Sequence, residues 1–405
     1  VKLLVVADVP IHRLDGGASR VLHEETTRLA ARGHTVRLLT RKADPAWPEE
    51  ECIDGVRVYQ YRPDQAHAAS FLLSTIMRAR ALFDRLLAEE PVDLIHIHQP
   101  LSAAGVLRSR GSRSIPTLYT CHSLAFEEYE TREPDANPFL AALHSWGRRR
   151  LERNAIERSR RVTTLSEFMR QRVHARHGTP LERIDVIPGG VNDLRFRPEP
   201  DKPSVRAKLG LPAGRFLLFT VRNLVPRMGL DNLILAMRRV VRKAPDALLV
   251  IGGTGRLRQR LELLVGEHHL QEHVRFTGFI SENELPLYYQ AADLFVLPTV
   301  QLEGFGLVTV EALASGLPVL GTPIGGTPEI LEPLDPGLLF ASTDPTALAE
   351  RMIEKYLSWT QQPQHYADLC RRCRRYVEER FTWERHVDRL EALYGSLLPR
   401  GRGPS

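Results

Sequence analysis

An alternation of strand and helix runs twice along this chain, and no other feature of the sequence narrows the possible folds as far. KLLVVADV reads as a strand, GGASRVLHEETTRLAARG as a helix opened by glycines and closed at Gly33, and HTVRLLTR as the next strand. Val21, Leu22, Leu29 and Ala30 share one helical face, as a crossover helix lying on a sheet requires. VDLIHIH, PTLYTCH, RVTTLS and RIDVIPGGV follow as strands with helical stretches between them. Three prolines in RFRPEPDKPS, residues 195–204, then interrupt the pattern. It restarts at RFLLFTV and continues through ALLVIGG, VRFTGF, LFVLPT and LPVLGT.

Alternation of this kind predicts parallel sheets covered on both faces. The expected fold class is therefore α/β, with two doubly wound, Rossmann-like domains. Residues 1–196 are expected to form the first domain, 197–204 a linker and 205–377 the second domain. Residues 378–398 should form a C-terminal helix returning to the first domain, and 399–405 a disordered tail. Ligands bind outside the carboxyl ends of such strands, so the two domains are expected to face each other across a cleft that holds the site.

Composition excludes several classes. Hydrophobic residues make up 43% and charged residues 26%, the profile of a soluble globular protein. No apolar run approaches the roughly 20 residues of a membrane-spanning helix. Cys52, Cys121, Cys370 and Cys373 are too few and too scattered for a disulfide framework, which predicts a cytoplasmic protein. The net charge of +6 makes an acidic partner worth seeking. Basic residues crowd into WGRRRLERNAIERSRR, residues 146–161, where seven arginines could meet an anionic membrane beside Trp146, at the inner face of the cytoplasmic membrane. The same stretch also reads as a solvated helix with Glu152 and Glu157 as internal partners. No aromatic-interleaved basic strand is present, so nucleic acid is not expected as a partner.

The chemistry-bearing stretch is EGFGLVTVEALASGLPV, residues 303–319. Glu303 precedes a Gly304-Phe305-Gly306 turn, a helix is expected from about Leu307, and Glu311 lies just over a turn into it. The glycines let backbone approach a ligand closely, and the N–H groups of a helix start favour an anion such as a diphosphate. Carboxylates on either side suit hydroxyl-rich rings, because each oxygen can accept from a separate hydroxyl. The pattern suits a sugar, a diphosphate and a ribose in that order. An ordinary loop and amphipathic helix with exposed acids would read the same way.

Glu303-x7-Glu311, then SGLPV and GTPIGGTPEI, resembles the signature of retaining glycosyltransferase family 4, which has the GT-B fold. DGGASRVLHEETTRLAARGHTVRLLT, IPGGVN, GGTGRLRQRL, VRFTGF and TWERHVDRLEALY are each similar to segments of that family, in the family's order. The resemblance implies that Glu303 contacts the donor sugar, Glu311 binds the ribose, and Gly304, Phe305, Gly306 and Leu307 touch sugar and diphosphate. Phe279 and Ile280 would meet the base. His122 in TCHSLAFEE matches the family's active-site histidine, and Gly16, Gly17 and His98 would lie on the acceptor side. His96 and His98 alone make a poor metal site. No Asp-x-Asp occurs, which fits the family's metal-independent chemistry, so no metal or other cofactor is expected beside the nucleotide sugar, with UDP preferred and GDP second on family frequency.

One departure concerns the Arg-x5-Lys clamp for the leaving diphosphate: Arg222 is present, but Met228 takes the lysine position. Losing one such donor typically costs about 2.7–4 kcal/mol of transition-state stabilisation. The expected function is transfer of a sugar to a hydroxyl of a lipid-linked or glycan acceptor, with Met228 impairing it unless another cation substitutes. The alternative is a sugar-nucleotide-binding protein without catalysis. An epimerase or a phosphorylase of the same fold is disfavoured, the latter because the second domain is poor in lysine for a pyridoxal phosphate.

Overall fold

A computed structural model describes residues 1–12, 14, 16–132 and 138–398. The expected disordered tail lies outside the described residues. Two compact units emerge: Val1–Gly189 with the segment from Trp383 onward, and Gly190–Thr382.

In the first unit the chain runs β1 (Lys2–Val6), α1 (Gly17–Ala31), β2 (Thr35–Arg41), β3 (Glu50–Ile53), β4 (Val56–Tyr61), α2 (Ala68–Glu89), β5 (Leu94–Ile97) and α3 (Pro100–Val106). It continues with β6 (Thr117–Cys121), α4 (Ala125–Arg132), α5 (Pro138–Arg158), β7 (Arg161–Thr164), α6 (Glu167–His177) and β8 (Ile184–Val186). The strands form one sheet in the order β3-β4-β2-β1-β5-β6-β7-β8, parallel except where β3 pairs antiparallel with β4. Side chains alternate across a strand, and β1 shows the consequence. Leu4 and Val6 enter a core with Phe83 of α2, Ala103 of α3 and Ile156 of α5. Leu3 and Val5 enter the opposite core with Leu22 and Leu29 of α1. Two covered faces explain why β1 is apolar from Leu3 to Val6 rather than alternating.

The second face is completed by the C-terminal helix, Trp383–Leu397, whose Val387, Leu390, Tyr394 and Leu397 join Leu22 and Leu29 in that core. Their spacing of three, four and three residues is a single helical stripe. The helix therefore belongs to the first unit, as expected.

The second unit contains α7 (Lys202–Lys208), β9 (Phe216–Val221), α8 (Leu230–Lys243), β10 (Ala247–Gly252), α9 (Arg258–Glu267), β11 (Val274–Gly278), α10 (Leu285–Ala291) and β12 (Leu294–Leu297). It ends with α11 (Leu307–Ala314), β13 (Val319–Gly321), α12 (Thr327–Leu331), α13 (Pro345–Gln361) and α14 (Pro363–Arg380). Its parallel sheet has the order β11-β10-β9-β12-β13.

The boundaries differ from the expected linker at 197–204. The passage between units falls at Gly189–Gly190, and the proline-rich stretch is built into the second unit. Phe196 is buried edge-on against Tyr289, with ring centroids 5.7 Å apart. Lys202 and Arg206 of α7 bind the buried Asp293 carboxylate at 3.1 and 2.6 Å. A buried carboxylate needs such partners, and α7 supplies them because its one proline, Pro203, sits in the first turn where it does not break the helix. The helix expected to begin at 378 begins at Trp383, because α14 runs on to Arg380.

Leu390 lies 1% exposed in the first unit's core although it comes from the far end of the chain. Leu390→Ala should cost that unit about 2–5 kcal/mol, seen in urea titrations as an earlier transition of the first unit alone.

Candidate active site

Each sheet has its first strand inside it, so the chain reverses direction of travel beside that strand and leaves a crevice at the strand ends. In the second unit the reversal falls between β9 and β12. The side chains that meet there are Arg222, one residue past β9, and Glu303, in the loop after β12. They form a buried ion pair, and Thr299 Oγ1 accepts from Arg222 at 2.9 Å while donating to Glu303 at 3.0 Å. Arg222 Nε is buried without a hydrogen-bond partner among the described residues.

Close backbone contacts hold these loops in place. Leu224 N–H donates to Thr254 O at 2.9 Å and Arg222 N–H to Gly252 O at 3.0 Å. A Cβ on Gly253 would lie 1.9 Å from Arg222 O, so the GGTG segment must present bare backbone there. Glu303 is aimed by a strained neighbour, since Leu302 has φ 54° in the left-handed region. Arg227 Nη1 donates to Leu302 O at 3.0 Å and so pins that conformation. Gly306, with φ 90°, opens α11.

The other residues expected on the donor side sort by burial. Glu311 is buried and accepts from the Tyr289 hydroxyl at 2.9 Å. Phe305 and Leu307 are buried, as is Ile280, whereas Phe279 is 71% exposed. Met228 is 5% exposed and ends a short 3-10 turn, Pro226–Met228, so its thioether is packed inward rather than offered to an anion. Its neighbour Arg227 is committed to Leu302 O.

In the first unit, His98 and His122 each lie one residue past a strand end, those of β5 and β6. His98 Nδ1 and His122 Nε2 are 3.0 Å apart. Behind them Glu25 of α1, 1% exposed, lies 3.5 Å from His98 Nε2 through Oε2 and 2.8 Å from His386 Nε2 through Oε1. His386 Nδ1 lies 2.7 Å from Pro188 O, which can only accept. With the carboxylate ionised, both His386 nitrogens donate, and Glu25–His386 is a buried ion pair. His96 is held by the Tyr394 hydroxyl at 2.8 Å and Thr120 Oγ1 at 2.7 Å. Burial pushes His96 and His122 down to about 4, and His98 well below its ordinary value, so these three rings are neutral near pH 7.

His98, expected beside the acceptor, is 2% exposed and directs both ring nitrogens into this network. Gly16 and Gly17 are exposed at the start of α1. Glu25, His96 and His98 are the only described residues whose donor atoms cluster closely enough for a metal. Existing partners already engage His96 Nδ1 through Tyr394 and Glu25 through His386. Glu25 and His386 escaped the sequence reading. The available signal was position: Glu25 lies on the inward stripe of Leu22 and Leu29, and His386 on that of Trp383, Val387 and Leu390.

Residues 15–195 match the family described as Glycosyltransferase Family 4, and residues 201–380 that described as Glycosyl transferases group 1. A GDP-mannose-dependent alpha-(1-6)-phosphatidylinositol monomannoside mannosyltransferase of Mycolicibacterium smegmatis is 31% identical, over 62% of this chain and 69% of that protein. The chain belongs to glycosyltransferase family 4. A D-inositol 3-phosphate glycosyltransferase of Rhodococcus erythropolis is 28% identical over 96% of this chain and 89% of its own. The sucrose-phosphate synthase of Thermosynechococcus elongatus superposes with a TM-score of 0.80 at 26% identity, covering 98% of each chain. This family 4 member is thus a glycosyltransferase of GT-B fold that takes its sugar from a nucleotide sugar.

Burial pushes the Glu25 carboxyl up, but the attraction of His98 and the bond from His386 outweigh it and hold the group at about 2, against an ordinary 4.5. A group lowered on folding stabilises above its unfolded value and loses that contribution as pH falls through its folded value. Stability should decline between about pH 5 and pH 2, and Glu25→Gln should flatten that part of the profile, as measured by urea unfolding across the range.

Proposed function

We propose that this enzyme is a retaining hexosyltransferase, independent of metal, that moves a sugar from a nucleotide-diphosphate donor to a hydroxyl of a lipid-linked or glycan acceptor. The observation that carries the reading is the Arg222–Glu303 pair at the second unit's switch point. A diphosphate can replace the carboxylate as partner of Arg222, and Glu303 is then released to accept from donor-sugar hydroxyls. The family resemblance supplies the course of the reaction. The bond from the anomeric carbon to the diphosphate breaks, the bond to the acceptor oxygen forms on the same face, and the acceptor's proton passes to the departing diphosphate. Glu303 and His122 position the donor, while Arg222 balances the charge that develops on the leaving group.

For the donor, the names of relatives at 28–32% identity favour GDP-mannose as the first to test, ahead of the UDP-sugar expected from family frequency. The same names support an inositol-bearing acceptor, soluble or lipid-linked. Binding and turnover of GDP-mannose and UDP-glucose, compared on the wild type, Arg222→Ala and Met228→Lys, test the reading. Arg222→Ala should lower kcat by about 10²–10³-fold. Met228→Lys should raise kcat if the missing cation limits the rate. Donor binding with no turnover in either the wild type or Met228→Lys would favour the non-catalytic alternative, and failure to bind any sugar nucleotide would overturn both.

The proposal extends to a peripheral site on the inner face of the cytoplasmic membrane. Its support is Trp146, 61% exposed beside Leu143, with exposed Arg148, Arg149, Arg150 and Arg153 around it. The remaining arginines of the stretch are used internally: Arg158 and Arg160 donate to Leu107 O and Leu397 O, and Arg161 pairs with Asp185. Glu157 partners Arg153, but Glu152 is fully buried against His177 and the Tyr119 hydroxyl instead of serving the arginines. The protein should float with vesicles rich in anionic lipid and not with zwitterionic ones, and Trp146→Ala should weaken this binding. Equal behaviour with both vesicles would refute the membrane assignment.

A further inference from the structure

The three-membered chain Glu25, His98, His122 admits two proton arrangements, and they differ in what His122 offers a substrate. In one, His98 carries its proton on Nε2 and accepts at Nδ1 from His122 Nε2–H, which leaves His122 Nδ1 as a bare lone pair. In the other, every proton is shifted: His98 Nε2 is bare, Nδ1–H donates to His122 Nε2, and His122 Nδ1 carries a proton. Both satisfy the 3.0 Å contact between the rings.

Glu25 decides between them. Its Oε2 lies 3.5 Å from His98 Nε2, and neither atom has a hydrogen-bond partner among the described residues. A lone pair facing a carboxylate at that distance is repelled, whereas an N–H is attracted, and low surrounding dielectric strengthens both effects. The other oxygen of Glu25 is occupied by the His386 cation at 2.8 Å, which leaves Oε2 facing inward. The further charged or titratable neighbours do not reverse the preference. His96 Nδ1 is 3.8 Å from Oε2 and is bound by Tyr394. Glu128 of α4 attracts positive charge to the His122 ring as a whole, and both arrangements place one proton on that ring.

We propose that Glu25 is a positioning residue which, through His98, holds His122 in the Nε2–H tautomer with Nδ1 as its free acceptor. His122 Nδ1 is buried and lacks a hydrogen-bond partner among the described residues. It follows that the group meeting Nδ1 must bring a proton: a sugar or acceptor hydroxyl fits, and an ionised phosphate oxygen does not. The catalytic meaning of this step rests on the proposed placing of His122 at substrate, whereas the tautomer does not.

The test is nitrogen NMR on protein labelled at histidine, with His98 and His122 assigned by single substitutions. In the wild type both rings should show a protonated Nε2 and an unprotonated Nδ1. Glu25→Gln and Glu25→Leu separate the acceptor from the ion pair. The glutamine amide can donate to His386 Nε2 and still turn its oxygen to His98, so the tautomer should persist. Leucine offers no acceptor, so His98 and His122 should become mixtures, and kcat should fall about tenfold with donor KM unchanged. A purely structural ion pair would make the glutamine and leucine variants fail alike.

A protonated Nδ1 on wild-type His122 overturns the inference, as does a tautomer unchanged by leucine in a variant shown to be folded by its thermal melt. Stoichiometric zinc held by wild-type protein and lost in Glu25→Leu would overturn it too, since the lone pairs would then bind metal. Should leucine yield mixed tautomers at wild-type turnover, the tautomer inference is upheld and the placing of His122 at the reacting centre fails. The wild-type spectrum is decisive even if leucine prevents folding.

Discussion

Parallel pairing around an internal first strand is the constraint on which the rest depends. In each unit the chain builds outward from β1 or β9 on one side and later returns to the other, so two loops diverge at the strand ends instead of running side by side. In the second unit that divergence is where Arg222 and Glu303 meet. In the first, β5 takes the far side of β1, and the histidine chain starts one residue past its end. Neither constellation needs residues close in sequence: the second spans 81 positions and is made adjacent by β9–β12 pairing.

The buried Glu25–His386 pair does two jobs in the first unit. An unpaired carboxylate on the inward face of α1 would be strongly destabilising, and a histidine on the C-terminal helix supplies its partner from 361 residues away. That same pairing turns the second carboxylate oxygen toward His98. Anchoring of the chain's end and proton placement near β5 and β6 are therefore coupled in one side chain. The surrounding stripe of Val387, Leu390 and Tyr394 provides the apolar burial that makes docking of the helix favourable.

Charge around Glu303 is arranged differently. Arg222 and Glu303 neutralise each other, Thr299 bridges them, and Arg227 is spent on the strained Leu302 carbonyl. The burial of Met228 makes it a packing residue of the turn before Gly229. A lysine there would have to leave that apolar setting to reach an anion, which sets a structural limit on simple restoration of a second cation.

The alternation of apolar strands with amphipathic helices was enough to read two doubly wound domains and a returning helix, because burial on both sheet faces imposes continuous strand hydrophobicity. The family signature at Glu303–Val319 was legible for a related reason: turn glycines and a helix start are local features. Elsewhere the local reading stopped short. Three prolines at 195–204 looked like a linker, but Phe196, Lys202 and Arg206 find partners on Tyr289 and Asp293 that are distant in sequence. Glu152 looked like a partner for nearby arginines, yet helix periodicity turns it inward to His177. By itself, the sequence determined the fold class, the two-domain plan and the family signature around Glu303, all of which follow from periodicity and short motifs. Tertiary structure alone decided that His98 backs His122, that Glu25 and His386 form one ion pair, and that Arg222 rests on Glu303, because a buried charge takes whatever partner the packed fold brings within hydrogen-bond reach.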